Sequence, residues 1–412
     1  MNLLILNAGS SSLKCTLMDA EQDAVLARGM ADWAGAETQY RYQGPEHNEN
    51  TEHTGRGNHA DPVQVDWKGH AAAVRRFISD LQHVEPLALP DPSSLVAVGH
   101  RIVHGGEFTS SVRITAEVRS RIAALAELAP LHNRPSLETL AAAEAELPRV
   151  PHIAVFDTTF HASLSPEAFT YPIPHQWTQR WGIRRYGFHG LSHAYCARRA
   201  AEMLNRPASD LRLVICHLGH GCSAAAVRGG RSVDTTMGFT PLEGLMMATR
   251  SGSIDPEIVA YMQHHQGLSA EQVEHALQRE SGLWGVSGVS ADMREVLAAA
   301  QSGHQQSRLA VAIYTRRIRQ AVGAFAVTMG GIDALVFTAG VGEHAAEVRA
   351  SVCDGLECLG LELDAQANAT CQPDADIALP HSPGRILIIS TREDLTILRE
   401  VRDVLSTNPL TN

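Results

Sequence analysis

The sequence predicts an α/β protein of duplicated architecture. Apolar runs of strand length alternate along the chain with segments of helical periodicity, which is typical of that class. A strand–turn–strand pattern occupies Leu3–Met18, and a similar pattern occupies Leu213–Val227. Because the two patterns lie about half a chain apart, they favour two related halves with one phosphate-binding turn in each.

The first of these turns, Asn7–Lys14, is suited to binding an anion. It offers backbone N–H groups, three serine hydroxyls and one ammonium group, and such donors suit a phosphate chain. It is not a Walker A loop, because the G-x-x-x-x-G-K-[ST] spacing is absent. Ala334–Glu343 is a third apolar run that ends in a glycine-containing turn. The alternative for each of the three segments is an ordinary hairpin.

Two helices are predicted from periodicity and from their end signals. In Thr115–Ala129, apolar residues share one face, Thr115 is the expected cap and Pro130 the expected stop. Gln306–Gly330 has the strongest helical pattern, with apolar residues every three or four positions and a glycine pair at its end.

A last helix is predicted to start near Thr391, which forms a T-x-x-D capping pattern with Asp394. Residues 39–61 are rich in Gly, His, Asn and Glu and poor in aliphatic side chains, and this composition predicts an exposed loop or insertion.

Length, composition and net charge limit the classes of protein to which this chain can belong. The chain has 412 residues, 44% hydrophobic and 19% charged, enough for two or three domains with a sizeable core. It has no apolar run of about 18 residues and no basic segment typical of a signal peptide at its start, so no membrane partner is expected. The net charge of −11 argues against a nucleic-acid partner, and seven cysteines without a C-x-x-C pair fit a reducing, cytoplasmic compartment.

Two charged residues follow predicted strands. Arg101 comes after Leu95–Val98, and its two-pronged guanidinium can bind a carboxylate or a phosphate; the alternative is a structural ion pair. Asp157 follows Ile153–Val155, at a position that favours catalysis in α/β proteins. It can hold a metal or orient a nucleophile, or it caps the following turn.

Three further residues lie in turns or at a helix start. His189 lies between two glycines with arginines close by, which predicts a donor to developing negative charge. His193 lies four residues on, but without a third ligand nearby zinc is not expected. Arg250, in a polar turn, either neutralises a phosphoryl group in transfer or is a surface charge. Glu393 either complements a helix dipole or acts as a magnesium-side carboxylate.

Taken together, these segments strongly resemble the acetate kinase family of acetokinases. The matching runs span nearly the whole chain in the family's order: Asn7–Lys14, His100–Gly106, Leu128–Asn133, Phe156–His161, Arg185–His193, His217–Gly221, Gly238–Gly252, Ser290–Arg294 and Gly340–His344. The resemblance implies the fold shared by sugar kinases, Hsp70 and actin, with two duplicated α/β domains and a nucleotide in the cleft between them. It implies an N-terminal domain of residues 1–161 and 395–412 and a C-terminal nucleotide-binding domain of residues 162–394.

The implied reaction is reversible phosphoryl transfer from ATP to acetate, giving acetyl phosphate and ADP, in a homodimer with Mg²⁺, or alternatively Mn²⁺. The residues implied in catalysis are Arg101, Asp157, His189 and Arg250. The magnesium-side residues are Asn7 and Glu393. The acceptor pocket would comprise Arg101, Val103, Leu131, Phe188 and Pro241. The residues implied in nucleotide and phosphate binding are Ser10, Ser12, Lys14, His217, Leu218, Gly219, His220, Gly221, Asp292, Met293, Arg294, Gly340, Val341, Gly342, Glu343 and His344.

Four residues depart from the family's pattern. His220, His344 and Arg392 stand where the family usually has Asn, and Ser253 stands where it has Asp. Both histidines fall on implied nucleotide-contacting segments, and imidazole is bulkier than the Asn amide and titrates near neutral pH. The departures suggest altered donor affinity or donor choice, with pyrophosphate or another nucleotide in place of ATP. The sequence is also compatible with a propionate-preferring kinase and with a catalytically weakened nucleotide sensor.

Overall fold

A computed structural model describes residues 1–45, 59–127 and 130–407. The strands in chain order are β1 (Asn2–Ala8), β2 (Ser12–Asp19), β3 (Ala24–Asp32), β4 (Thr38–Gln43), β5 (His59–Val65), β6 (Leu95–Ile102), β7 (Val112–Arg113), β8 (His152–Phe156), β9 (Arg212–Leu218), β10 (Cys222–Arg228), β11 (Arg231–Thr235), β12 (Ala334–Thr338), β13 (Ala375–Asp376) and β14 (Arg385–Ile388). The helices are α1 (His70–His83), α2 (Ala116–Ala124), α3 (Pro130–Glu146), α4 (Pro166–Phe169), α5 (His175–Trp181), α6 (Gly190–Leu204), α7 (Glu257–Gln266), α8 (Ala270–Arg279), α9 (Gly282–Ser287), α10 (Met293–Gln301), α11 (Gln305–Met329), α12 (Ala339–His344), α13 (Ala346–Cys353), α14 (Ala365–Thr370) and α15 (Glu393–Thr407).

The chain forms two compact units. The first unit comprises residues 1–159 and 393–412, and the second comprises residues 160–392. The first unit contains an eight-stranded sheet in the order β5-β4-β3-β2-β1-β6-β8-β7, and the second contains a six-stranded sheet in the order β11-β10-β9-β12-β14-β13. Among the described residues, no helix is long and apolar enough to cross a membrane.

The two sheets share one topology. In the first unit, β3, β2 and β1 are antiparallel neighbours, and β6 and β8 continue the sheet in parallel. In the second unit, β11, β10 and β9 repeat the antiparallel part, and β12 and β14 repeat the parallel part. The predicted α/β class with duplicated halves is therefore confirmed.

Both predicted hairpins are present. The β1–β2 turn is closed by a hydrogen bond from Gly9 N to Ser12 O of 2.8 Å, and the β9–β10 turn by one from Gly219 N to Gly221 O of 3.1 Å. The third segment is different. The predicted strand is present as β12, but it runs directly into α12, so the glycine-containing turn predicted after Thr338 is wrong.

The long helix predicted from periodicity is confirmed as α11, which ends at Gly330 with φ of 72°. The cap of α2 is also confirmed, since Thr115 Oγ1 accepts from Val118 N at 3.2 Å. The helix end predicted at Ala129 is wrong, because α2 already ends at Ala124; Pro130 begins the next helix, α3. Proline is favoured in a first helical turn, where its missing N–H has no acceptor to lose.

The prediction of a loop over residues 39–61 is wrong at both of its ends, where β4 and β5 lie; residues 46–58 fall outside the described part of the chain. Tyr40 and Tyr42 are each 1% exposed and alternate with polar residues. Aromatic side chains at every second position are typical of a half-buried strand. The absence of aliphatic residues concealed this signal.

Helix α15 packs on β1, β6 and β8 in the first unit, and Gly99 sets the distance of that approach. A Cβ atom built at Gly99 would lie 2.9 Å from Cγ2 of Ile397 and 2.9 Å from Cγ2 of Val401. The glycine therefore lets the helix approach β6 closely, and this contact holds Glu393, the first residue of α15, near the end of the sheet.

We predict that Gly99→Ala lowers the free energy of unfolding by about 1–3 kcal/mol, because its methyl group has no room beneath α15. The matched control is Gly323→Ala within α11, where an added Cβ meets no atom within 4 Å. That change should leave stability unchanged or raise it by up to about 1 kcal/mol. Urea unfolding of both variants measures the difference, and wild-type stability in Gly99→Ala would contradict the prediction.

Candidate active site

Four of the predicted site residues meet in the first unit. Asn7 lies in β1, Arg101 in β6, Asp157 just after β8 and Glu393 at the start of α15. Parallel strands β1, β6 and β8 are neighbours, so their carboxyl ends lie at one edge of the sheet, where α/β proteins place ligands.

A chain of hydrogen bonds links the four side chains. Arg101 donates from Nε to Asp157 Oδ1 at 3.0 Å and from Nη2 to Asp157 Oδ2, so the pair is bidentate. Its third nitrogen, Nη1, donates to Asn7 Oδ1 at 3.0 Å. Asn7 Nδ2 in turn donates to Glu393 Oε2 at 3.1 Å. The ion-pair alternative for Arg101 is therefore present, and the pair fixes the orientation of the guanidinium.

The charge of Arg101 is secured by its neighbours. Its side chain is 15% exposed and that of Asp157 only 1%. Burial by itself would lower the pKa of Arg101, but the carboxylates of Asp157 and Glu393 raise that pKa above its usual value. The guanidinium is thus a permanent cation in a poorly solvated position.

Asn7 and Glu393 provide the oxygen atoms that Mg²⁺ prefers. No group of three His, Cys, Asp or Glu side chains able to hold a metal occurs in the part of the chain that the structure describes. Magnesium does not require such a group, because it keeps several waters and binds through one or two carboxylates together with substrate phosphates. The residues present therefore fit a magnesium ion that arrives with a phosphate ligand.

The first turn presents the predicted donors beside this cluster. Lys14 pairs directly with Asn7 in the β1–β2 register, so both side chains point to the same face of the sheet. Lys14 and Ser10 are exposed, and Ser12 is half-buried. Sequence reasoning missed His70, whose Nε2 lies 2.8 Å from Gly9 O and braces the turn from α1.

In the second unit, His189 is held at the amino terminus of α6. Its backbone has a left-handed conformation with φ of 57°, which is uncommon for a residue with a side chain. Two residues before it, Gly187 has φ of 75°, and a Cβ there would lie 2.6 Å from Cδ2 of His161. The glycine before His189 is thus required by the fold, and it lets the chain turn sharply into the helix.

His189 and Arg250 flank the second glycine turn. A Cβ built on Gly221 would lie 3.4 Å from Nε2 of His189 and 3.5 Å from Nη1 of Arg250. The imidazole of His189 also stacks on that of His217, with ring centroids 4.1 Å apart. A glycine at position 221 therefore leaves space that both a histidine nitrogen and a guanidinium can reach.

Arg250 is half-buried and has no compensating carboxylate among the described residues. Its Nη1 donates to the backbone oxygen of Pro241 at 2.8 Å. Burial lowers the pKa of Arg250, but a guanidinium stays protonated at any physiological pH. Its positive charge is therefore available to an anion, and the surface-charge alternative does not hold.

The loop that carries Pro241 and Arg250 is clamped by a polar network that the sequence did not reveal. Arg185 donates from Nη2 to Glu243 Oε1 at 2.8 Å and from Nη1 to the backbone oxygens of Thr235, Thr236 and Met237, where β11 leads into the loop. Tyr171 donates to the other oxygen of Glu243. Ser253, at one of the positions that depart from the family's pattern, accepts from Gly244 N at 3.0 Å and closes the same loop.

A cavity of about 850 Å³ lies in the second unit. It brings together the three segments that were predicted to contact a nucleotide. The predicted residues that line it are Gly219, His220, Asp292, Met293, Arg294, Gly340, Val341 and His344. Sequence reasoning noted Ser290 and Ala291 only within a matching run, and it missed the remaining lining residues, Leu283, Leu297, Ala298, Gln301, Ala345 and Glu347. Leu297, Ala298 and Gln301 lie on α10, and their helical spacing from Met293 was the signal that could have identified them.

Several predicted nucleotide-binding residues do not line the cavity. His217, Leu218, Gly221 and Gly342 lie outside its lining. Glu343 also lies outside, and its Oε1 accepts from Thr391 N at 3.0 Å and from Thr391 Oγ1 at 2.9 Å. Thr391 Oγ1 accepts from Ala339 N at 3.0 Å. Thr391 and Glu343 thus brace the turn between β12 and α12.

Both histidines that depart from the family's pattern, His220 and His344, line the cavity. Burial, together with the charges of Arg250 and Arg279, lowers the pKa of His220 below its usual value. His220 is therefore neutral at pH 7 in the absence of an anionic ligand. Its backbone oxygen accepts from Ala248 N at 3.1 Å, which ties the glycine turn to the Arg250 loop.

The predicted acceptor-pocket residues fall in both units. Val103 and Phe188 are buried and Pro241 is half-buried. The side chain of Leu131 lies outside the described part of the chain. Asn133 fixes the backbone just after Val103. Its side chain accepts from His104 N and donates to His104 O, both at 3.0 Å. Sequence reasoning noted Asn133 only within a matching run.

Comparison with known proteins gives consistent matches over nearly the whole chain. A profile of the Acetokinase family matches residues 2–399. The chain is 46% identical to an acetate kinase from Gloeobacter violaceus, with 97% of this chain and 98% of that protein covered. It is 45% identical to an acetate kinase from a Cyanothece species, with 99% of each chain covered.

Two solved structures are similar to this one. The acetate kinase of Porphyromonas gingivalis has a TM-score of 0.87 and 35% identity, covering 98% of this chain and 99% of that chain. A propionate kinase from Francisella tularensis has a TM-score of 0.86 and 36% identity, covering 97% of this chain and 98% of that chain.

Proposed function

The chain belongs to the acetokinase family, and we propose from that premise and from the site that it is an acetate kinase. The reaction is reversible transfer of a phosphoryl group from ATP to acetate, giving acetyl phosphate and ADP. One observation supports this most directly: Gly219 and His220 line the cavity, while the next residue, Gly221, is flanked by His189 and Arg250. A nucleotide in the cavity can therefore extend its phosphates to a histidine and an arginine.

In this reaction, the nucleoside occupies the cavity and the phosphates follow the Gly219–Gly221 turn. Arg250 neutralises the phosphoryl group in transfer, because its cation has no carboxylate partner among the described residues and lies beside Gly221. His189 donates a hydrogen bond to the phosphoryl oxygens on which charge develops. The other predicted cavity residues hold the base and sugar.

The cluster of the first unit serves the acceptor and the metal. Arg101, oriented by Asp157, binds the acetate carboxylate. Lys14, Ser10 and Ser12 offer donors to phosphate oxygens. Asn7 and Glu393 would hold the magnesium ion, with manganese as a substitute. Bound there, the divalent ion would offset negative charge on the phosphates.

The negative charges of the two substrates explain why the proposed site contains these residues. A carboxylate is already a nucleophile, so direct in-line attack requires no strong general base. The difficulty is that two anions must meet, and two unit charges about 4 Å apart repel by about 4 kcal/mol at an effective dielectric constant of 20. Two arginines, a histidine and a metal ion all act against that repulsion.

By the family resemblance, we assign contact with the methyl group of acetate to Val103, Leu131, Phe188 and Pro241. One methylene group contributes only about 1–3 kcal/mol in an apolar pocket, and propionate is therefore the nearest alternative acceptor. A hydroxamate assay for acyl phosphate, run with ATP and either acetate or propionate, tests the function. Faster turnover with acetate supports the proposal, whereas ATP binding without any acyl phosphate would contradict it.

We also propose that the protein acts in the cytoplasm as a homodimer. All seven cysteines are unpaired, which fits a reducing compartment. On α5, Trp177 and Trp181 are 41% and 52% exposed, and their rings lie 6.0 Å apart. Exposed aromatic surface of this kind is typical of a surface that a partner subunit covers.

We predict that Arg250→Ala reduces kcat by about 10²–10³-fold, the usual loss when a donor to the transition state is removed. The dissociation constant for ATP should change far less, because the cavity is left intact. Arg316→Ala, at an exposed position on α11, is the matched control and should keep full activity. Near-normal turnover in Arg250→Ala would refute the assigned role.

We predict that protonation of the His220 side chain strengthens ATP binding as the pH falls. Its lowered pKa leaves it neutral at pH 7, so protonation adds a positive charge beside the phosphates only as the pH falls through that lowered value. The KM for ATP of the wild type should therefore decrease, relative to that of His220→Asn, as the pH falls from about 8 to about 5. ATP's own titration cancels in this comparison. Parallel profiles for the two proteins would show that His220 does not face the phosphates.

A further inference from the structure

Four histidines pack together in the second unit, and the proposed reaction uses only one of them directly. His189 stacks on His217, and the rings of His161 and His193 lie 5.7 Å apart at a steep angle. His161 and His193 are fully buried. A buried cluster of imidazoles beside a catalytic histidine raises the question of what the other rings do.

One serine hydroxyl joins two of these rings. Ser223 Oγ lies 3.0 Å from Nδ1 of His189 and 2.8 Å from Nε2 of His193. Ser223 is fully buried in β10. Because a hydroxyl group has a single proton, Ser223 can donate to one ring nitrogen and accept from the N–H of the other.

The surroundings of His193 decide which of the two histidine rings donates a hydrogen bond to Ser223. Burial, with smaller contributions from His161 and His217, holds the pKa of His193 well below its usual value. The ring is therefore neutral and has one N–H group. Its Nδ1 is buried and has no hydrogen-bond partner among the residues that the structure describes. An unpaired buried N–H is rarer than an unpaired acceptor, so the proton belongs on Nε2, where Ser223 accepts it.

We propose that Ser223 and His193 are positioning residues that hold the neutral imidazole of His189 with its proton on Nε2. His193 donates to Ser223, and Ser223 donates to Nδ1 of His189. The proton of His189 is then on the nitrogen that faces Gly221 and Arg250. The proposal rests on the proposed function, because that function makes His189 a donor to the phosphoryl group.

The arrangement has a chemical consequence. His189 donates a hydrogen bond to the phosphoryl group without first taking up a proton. Its ring cannot flip without breaking the hydrogen bond to Ser223. A donor fixed in this way requires no reorganisation in the transition state. Ser223 and His193 touch neither substrate and act only through His189.

NMR spectroscopy of the ¹⁵N-histidine-labelled full-length protein tests the proton positions directly. Long-range ¹H–¹⁵N spectra distinguish the two neutral tautomers of each ring, and spectra of His189→Asn and His193→Gln identify the two sets of signals. We expect Nε2–H for both His189 and His193, with Nδ1 of His189 accepting a hydrogen bond. An Nδ1–H tautomer in either ring would overturn the proposal, whatever the enzyme's activity.

Kinetics of Ser223→Ala tests the positioning. We expect kcat to fall about 10-fold or more, as when a residue that orients a functional histidine is removed, while the KM values for ATP and acetate stay within about twofold of the wild type. Ser223→Thr keeps the hydroxyl and should recover most of the lost kcat. An unchanged kcat in Ser223→Ala would overturn the proposal.

Ser307→Ala is the matched control for the loss of a buried hydrogen bond. Ser307 is buried in α11, and its Oγ lies 2.8 Å from Nδ1 of His304. The control should lose a similar amount of thermal stability but keep the wild-type kcat. The expected tautomers in a wild-type protein that forms no acyl phosphate would reject the proposed function while leaving the proton positions in place.

Discussion

The feature on which the site depends is the fixed positive charge of two guanidinium groups, which the proposed reaction requires in order to bring two anions together. The protein holds its two principal guanidinium groups in different ways. Arg101 is paired with Asp157 and linked to Asn7, so its charge is secured but partly compensated. Arg250 is held by a neutral backbone oxygen instead, so its positive charge remains for a ligand. The first arrangement favours orientation, and the second favours stabilisation of new negative charge.

Backbone geometry places these groups, and it does so through close approaches that only glycine permits. Gly187 leaves room for His161 as the chain enters the left-handed conformation of His189, and Gly221 leaves the space that His189 and Arg250 share. Around these glycines, polar side chains fix the loops: the Arg185–Glu243 pair clamps the Arg250 loop. Rigid support of this kind keeps donors in place before the ligand arrives.

The sequence reveals features that depend on local pattern, and it conceals features that depend on tertiary contact. The hairpin turns, α11 and the α/β class follow from apolar runs and glycines, and the family resemblance located the segments that meet at the cavity. Strand β4 escaped notice because its alternating residues are tyrosines rather than aliphatics. Ser223 gave no signal, since a serine becomes informative only when the fold brings a distant histidine to its hydroxyl. Thr391 was interpreted as a helix cap, whereas its hydroxyl contacts the carboxylate of Glu343 and the backbone of Ala339.

The central proposal is that the fixed charges of Arg101 and Arg250 act on a single phosphoryl transfer. A double-mutant cycle of Arg101→Lys and Arg250→Lys, measured as kcat/KM for acetate, tests it most directly. If both guanidinium groups stabilise one transition state, the two losses should differ from additivity by more than about 1 kcal/mol. Losses that add to within about 0.5 kcal/mol would show that the two arginines act independently and would contradict the claim.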